Sequence, residues 1–281
     1  MARSRVAATW RSPPTQAYRG ALFALRRATY TWAVRPRLPR YRYPLMPTLR
    51  IARDVLLGRR RRFGGDAKAF IRAMTPPLRV MGDIPRIGAE GAVILINHYY
   101  APGFRAWWIA LALSAVVETD LHWVMTEAWT YPDRAREQML TPLSRRLFRR
   151  LAQVYGFTSM PPMPPRPWEV AARAAAVRSV LHLARRSPRP AIALAPEGGD
   201  APTGSLMTPP PGAGRFIGLL AAAGLPLSAA GIYEQAGELC LHFGPPVDLT
   251  STDAHDDQRI AGRAMRAIAG CLPEGLRGAY T

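Results

Sequence analysis

Apolar residues along this chain fall into two kinds of run. Short runs rich in β-branched or aliphatic residues, with no helical period, occupy residues 78–81, 92–96, 121–125, 191–195, 225–232 and 238–243. Such runs predict buried strands, and the clearest is Ala92-Val93-Ile94-Leu95-Ile96. Longer runs with apolar positions every three or four residues cover 49–63, 67–74, 104–117, 134–155, 169–186, 215–223 and 260–271, and they predict helices. Over 134–155, Leu143, Leu147 and Leu151 form the stripe, while Arg145, Arg146, Arg149 and Arg150 form a basic face.

Polar and conformationally special residues set the boundaries. Thr48 is a candidate N-cap for the first helix, Gly64-Gly65 is expected to break it, and Pro76-Pro77 stops the second. Residues 156–167 form a proline-rich loop long enough to act as a lid or to touch a ligand. Strands alternating with helices imply an α/β fold, with a mixed central sheet flanked by helices. No internal repeat is evident. The organisation expected is a basic helical arm over residues 1–77 and an α/β domain over residues 78–281.

Charge sharpens the first of these units. The net charge of +19 is concentrated in residues 1–62, which hold 16 arginines and one acid, Asp54. Arg, Pro and aromatics mix over residues 1–46, and residues 17–34 form a candidate helix between prolines. A basic helix with aromatics suits an anionic membrane surface, where guanidinium groups meet lipid headgroups. A solvated extension and a nucleic-acid-binding arm are the other two readings, with nucleic acid ranked last. No run reaches the 18 apolar residues of a membrane span, and the N-terminus lacks a secretory signal pattern. Cys240 and Cys271 sit in no metal or redox spacing and read as free thiols of a reducing compartment. The expected location is the cytoplasm, peripheral on the membrane.

Two strand ends carry candidate chemistry. Asn97-His98 follows the strand at 92–96, and Pro196-Glu197-Gly198 follows the strand at 191–195. Ligands of open α/β sheets gather where such ends converge. A neutral imidazole there can accept a proton from a hydroxyl if another group orients it. Other motifs are weaker. Gly212, Gly214 and Gly218 miss the dinucleotide fingerprint, no Gly-x-Ser-x-Gly elbow exists, and His122, His182, His242 and His255 have no zinc spacing. No metal site is expected.

Taken in order, Val80-Met81-Gly82-Asp83-Ile84-Pro85, Gly91 through His98, Ala195-Pro196-Glu197-Gly198, Ala223-Gly224-Leu225-Pro226-Leu227 and Phe243-Gly244-Pro245-Pro246 resemble the blocks of the glycerophospholipid acyltransferase family, lysophosphatidic acid acyltransferase type. The resemblance covers residues 78–249. It implies transfer of an acyl group from acyl-CoA or acyl carrier protein to a hydroxyl of a lysophospholipid or related lipid-like acceptor, with no bound cofactor. It also implies His98 as general base, with Asn97, Glu197 and Gly198 on the substrate side and an N-terminal segment at the membrane.

This chain is expected to be a divergent member. The family pattern places an aspartate five residues after the histidine, where Gly103 stands, and a Thr-Arg pair after Pro-Glu-Gly, where Gly199-Asp200 stands. Arg166 is the one arginine of the rewritten second block that would take over a phosphate contact. Losing the orienting aspartate of a triad slows it by about four decades. Three explanations stay open: a catalytically inactive lipid- or acyl-binding protein, a substitute carboxylate (Glu127 first, Asp200 second), or slow turnover on an acceptor without phosphate.

Overall fold

The structure, a computed structural model, describes residues 38–131, 133–199, 201, 203–249 and 256–281. The arm helix expected at 17–34 and the carboxylate of Asp200 lie outside them.

The described elements follow in chain order as α1 (Leu45–Leu57), α2 (Phe63–Ala73), β1 (Arg79–Met81), β2 (Ala92–Ile96), α3 (Trp107–Val116), β3 (Leu121–Thr126), α4 (Arg134–Tyr155), β4 (Thr158–Met160), α5 (Val170–Ala184), β5 (Ala191–Leu194), α6 (Ala213–Ala222), β6 (Leu227–Gln235), β7 (Glu238–Val247) and α7 (Asp257–Gly270). The strands form one seven-stranded sheet in the order β1-β7-β6-β2-β5-β3-β4. Every neighbouring pair is parallel except the β6–β7 hairpin, so the sheet is mixed, as expected. Central β2 and β5 are buried along their whole length, which explains their unbroken apolar runs.

Three local readings change. Gly64-Gly65 lies inside α2 rather than breaking a helix, and α1 ends earlier, at Gly58 with φ of 68°. A Cβ on Gly64 would stand 3.0 Å from the Asp120 carboxylate and 3.4 Å from the Ser114 carbonyl, so close approach of α2 to α3 requires a small residue there. The segment 156–167 is not wholly loop, because β4 adds a short parallel strand beside β3. Finally, the core reaches back before residue 78. Helix α2, placed in the arm from the sequence, contributes Ala67 and Phe70 to the same core as β2 and α3.

Buried charge ties the first two helices to α4. Arg61 bonds Asp66 and Asp54, and the Tyr155 hydroxyl donates to Asp66. The neighbouring guanidinium of Arg53, followed by that of Arg61, holds the Asp54 carboxyl below its ordinary value. From α4, Arg150 donates to the carbonyls of Val55 and Leu56, both at 3.0 Å, and so caps the C-terminus of α1. Cys240 and Cys271 are buried free thiols, and burial pushes Cys271 up to about 11.

Candidate active site

β2 delivers Asn97 and His98 to the same end of the sheet at which β5 delivers Pro196-Glu197-Gly198, because the two strands are parallel neighbours with Leu95 level with Leu194. The ladder between β2 and β6 ends at Ile96 and Ala230. Beyond it the Asn97 side chain acts as a further rung: its Nδ2 donates to the Ile232 carbonyl at 2.9 Å and its Oδ1 accepts from the Ile232 amide at 2.7 Å. An amide side chain offers one donor and one acceptor side by side, as a peptide unit does. Asn97 is buried and its geometry fixes where the chain turns out of the sheet toward His98.

Glu197 is also buried, and both carboxylate oxygens face backbone. Oε1 accepts from the His98 amide at 2.7 Å and Oε2 from the Met207 amide at 2.7 Å. The side chain expected to meet an acceptor therefore clips the ends of β2 and β5 together and draws in the segment before α6. His98, whose ring is half-buried, is held at the backbone by this clip. Gly198 follows with φ of 70°, and a Cβ there would lie 3.2 Å from the Met163 side chain, so the proline-rich segment does cover this turn.

A series of packed aromatic rings runs from the segment after His98 to the surface. Tyr99 packs edge-on to Phe104 with centroids 5.0 Å apart, Phe104 meets Tyr41 at 5.7 Å, and Tyr41 meets Trp108 at 4.8 Å. Trp108 meets Tyr43 at 5.5 Å, and the Trp107 indole donates to the Tyr43 hydroxyl at 3.0 Å. Trp107 in turn faces Trp129 at 6.4 Å, and both are exposed. The Tyr41 hydroxyl donates to the Glu234 carboxylate on β6, and burial first, then Glu234, raises its pKa. Burial also raises Tyr99.

Two further sequence-predicted residues, Glu127 and Arg166, are held by ion pairs to α4. Glu127 follows β3, two strands from β2, and pairs with Arg149 and, at 3.4 Å, with Arg145. No hydrogen bond joins it to His98 among the described residues. Arg166 donates to Glu137 at 2.6 Å and lies 5.8 Å over the Trp168 ring. It is the main cause of the lowered Glu137 pKa. Gly103 has φ of 90°, and nothing lies within 4 Å of where its Cβ would be. A side chain at this position would meet no neighbouring atom, on a backbone that disfavours one. Two contributors had no sequence signal. Met207 supplies an amide to Glu197, and Tyr280 has its phenol pKa raised by burial and by the Glu197 charge. Both come from segments without periodicity. Among the described residues no cluster of three or more His, Cys, Asp or Glu is placed to hold a metal ion.

Taken together, fold and site define an α/β protein with a histidine and a glutamate at converged strand ends. No family model and no curated protein matches the chain. Among solved structures, it is similar to the crystal structure of the 1-acyl-sn-glycerophosphate (LPA) acyltransferase PlsC from Thermotoga maritima, with a TM-score of 0.46 and 14% identity over 78% of each chain.

Proposed function

We propose that the chain transfers an acyl group from acyl-CoA or acyl carrier protein to a hydroxyl of a lysophospholipid or related lipid-like acceptor, at an anionic membrane surface. The observation that carries this reading is the convergence of His98 and Glu197 at one end of the sheet, on a core whose packed aromatic rings reach the exposed Trp107 and Trp129. A general base near exposed aromatic and aliphatic side chains suits an acceptor with a hydroxyl at one end and a hydrocarbon chain at the other. In this reaction neutral His98 takes the acceptor's hydroxyl proton as the oxygen attacks the thioester carbonyl. The thiolate then leaves and is protonated. Asn97 and Glu197 act as positioning residues, since their polar atoms bond the backbone on either side of His98.

The surface of α1 and α4 supports the membrane part. Leu45, Met46, Leu49 and Leu56 on α1 and Met139, Leu143 and Leu147 on α4 are exposed, with Leu56 at 78% and Met139 at 75%. Arg50 on α1 and Arg146 on α4 are exposed on the same helices. Exposed apolar side chains together with guanidinium groups match the interface of an anionic bilayer. No helix among the described residues is long and apolar enough to cross a membrane.

A second reading rests on Gly103 and on the ion pairs that hold Glu127. In that reading the same fold would serve a non-catalytic lipid-binding protein. Transfer of radiolabelled acyl groups to a panel of lysolipids separates the two. Turnover that disappears in His98→Ala supports catalysis. Turnover equal in both proteins removes His98 from the mechanism, and lysolipid binding without any turnover selects the binding protein.

A further inference from the structure

A cavity of about 470 Å³ opens at the other end of the sheet, between the C-terminal ends of α4 and α5 and the starts of β3 and β4. His122, near the start of β3, is level with Ile192 and hence with Val93 of β2. His98 lies five residues beyond Val93, about 17 Å along the strand direction. The cavity is therefore separate from the candidate active site.

Its walls carry Arg60, Arg149, Arg186, His122 and His182, with no aspartate or glutamate among the lining residues. Arginines are common in a chain of this charge, so their presence alone means little. More telling is that two of the five histidines of the whole chain meet here. Arg149 has Glu127 as an ion partner, whereas Arg60 and Arg186 have no acidic partner among the described residues. Both helix ends present carbonyls nearby, but no side-chain bond from Arg60 or Arg186 to those carbonyls exists among the described residues to account for the two cations. His122 is neutral at physiological pH, because burial lowers its pKa to about 4, and its Nε2 is 2.9 Å from the Thr158 hydroxyl. Thr158, Ser159, Ser179 and Gln153 add neutral donors to the lining.

We infer that this cavity binds a phosphate-bearing anion larger than a single phosphate, held by Arg60 and Arg186 and hydrogen-bonded by the neutral groups of the wall. Guanidinium groups present planar pairs of donors that match phosphoryl oxygens, and a recess excludes part of the solvent that would screen them. The volume falls within the range of small-molecule sites. This inference does not depend on the acyl-transfer reading.

The test is calorimetric titration of the full chain with inorganic pyrophosphate at low ionic strength. Wild type is expected to bind at one saturable site, and Arg60→Ala/Arg186→Ala to weaken binding at least about tenfold. A charge-matched pair away from the cavity, Arg72→Ala/Arg215→Ala, is expected to stay within about twofold, which separates the cavity from the general basicity of the chain. Ser179→Asp sets a carboxylate in the wall without removing a cation and is expected to weaken binding as well. Absence of saturable binding in wild type, or equal losses in the two arginine pairs, overturns the inference. Flotation with vesicles of phosphatidic acid in phosphatidylcholine identifies the source. Loss of flotation in Arg60→Ala/Arg186→Ala assigns the site to a lipid headgroup, and unchanged flotation assigns it to a soluble phosphorylated compound.

Discussion

Asn97 and His98 are neighbours with opposite roles. Asn97 replaces a missing rung of the sheet, so Asn97→Ala leaves the buried Ile232 amide and carbonyl unpaired and is expected to lower stability by about 1–3 kcal/mol in chemical denaturation. His98→Ala removes a half-buried ring, leaves the backbone bond to Glu197 intact, and is expected to abolish acyl transfer while shifting the denaturation midpoint little. His122 gives a pH signature. It deprotonates near pH 4 in the folded chain against 6.5 for an unperturbed histidine, so between these values the unfolded chain binds more protons. The His122 contribution is full above about pH 6.5 and is lost as pH falls toward 4. Stability profiles of wild type and His122→Gln across that window are expected to differ in slope, flatter in the variant.

At the scale of elements, several ends are finished by residues from other elements. Gly212 precedes α6 and offers no side chain, yet the Asp257 carboxylate at the start of α7 accepts from the Gly212 and Arg215 amides, both at 2.7 Å. The two helices also approach closely, since a Cβ on Gly214 would stand 1.9 Å from the Asp257 carbonyl oxygen. Gly214→Ala forces α6 and α7 apart, and a loss of about 1–3 kcal/mol is expected from thermal denaturation. Arg150 caps α1 in the same manner across sequence. Glu197 is the most consequential of these ties, because one carboxylate holds β2, β5 and the segment before α6 in register around His98.

Across the whole molecule, the exposed leucines of α1 and α4 and the surface end of the aromatic series are joined by direct contacts. Trp129 packs on Phe148 of α4 at 4.8 Å, and Arg150 of α4 holds the end of α1. Leu143→Glu/Leu147→Glu places two negative charges on exposed positions of α4. Flotation with anionic vesicles is expected to fall at least about tenfold, with little change in the thermal midpoint, and raising salt is expected to weaken wild-type flotation too. Retained flotation in this variant would remove the α4 face from membrane contact.

By itself the sequence determined the elements whose signals are local. The apolar runs of β2 and β5 and the alternation of strand and helix led to a mixed α/β sheet, because burial on both faces imposes an unbroken apolar run. It also placed Asn97, His98, Glu197 and Gly198 at strand ends that converge. Only the tertiary structure decided what those side chains touch. Glu197 turned to backbone amides, Glu127 and Arg166 to ion pairs on α4, and Met207 and Tyr280 to a site to which no nearby residue points. Partners separated by ten to more than one hundred residues are chosen by packing, which brings together groups that share no period and no spacing along the chain.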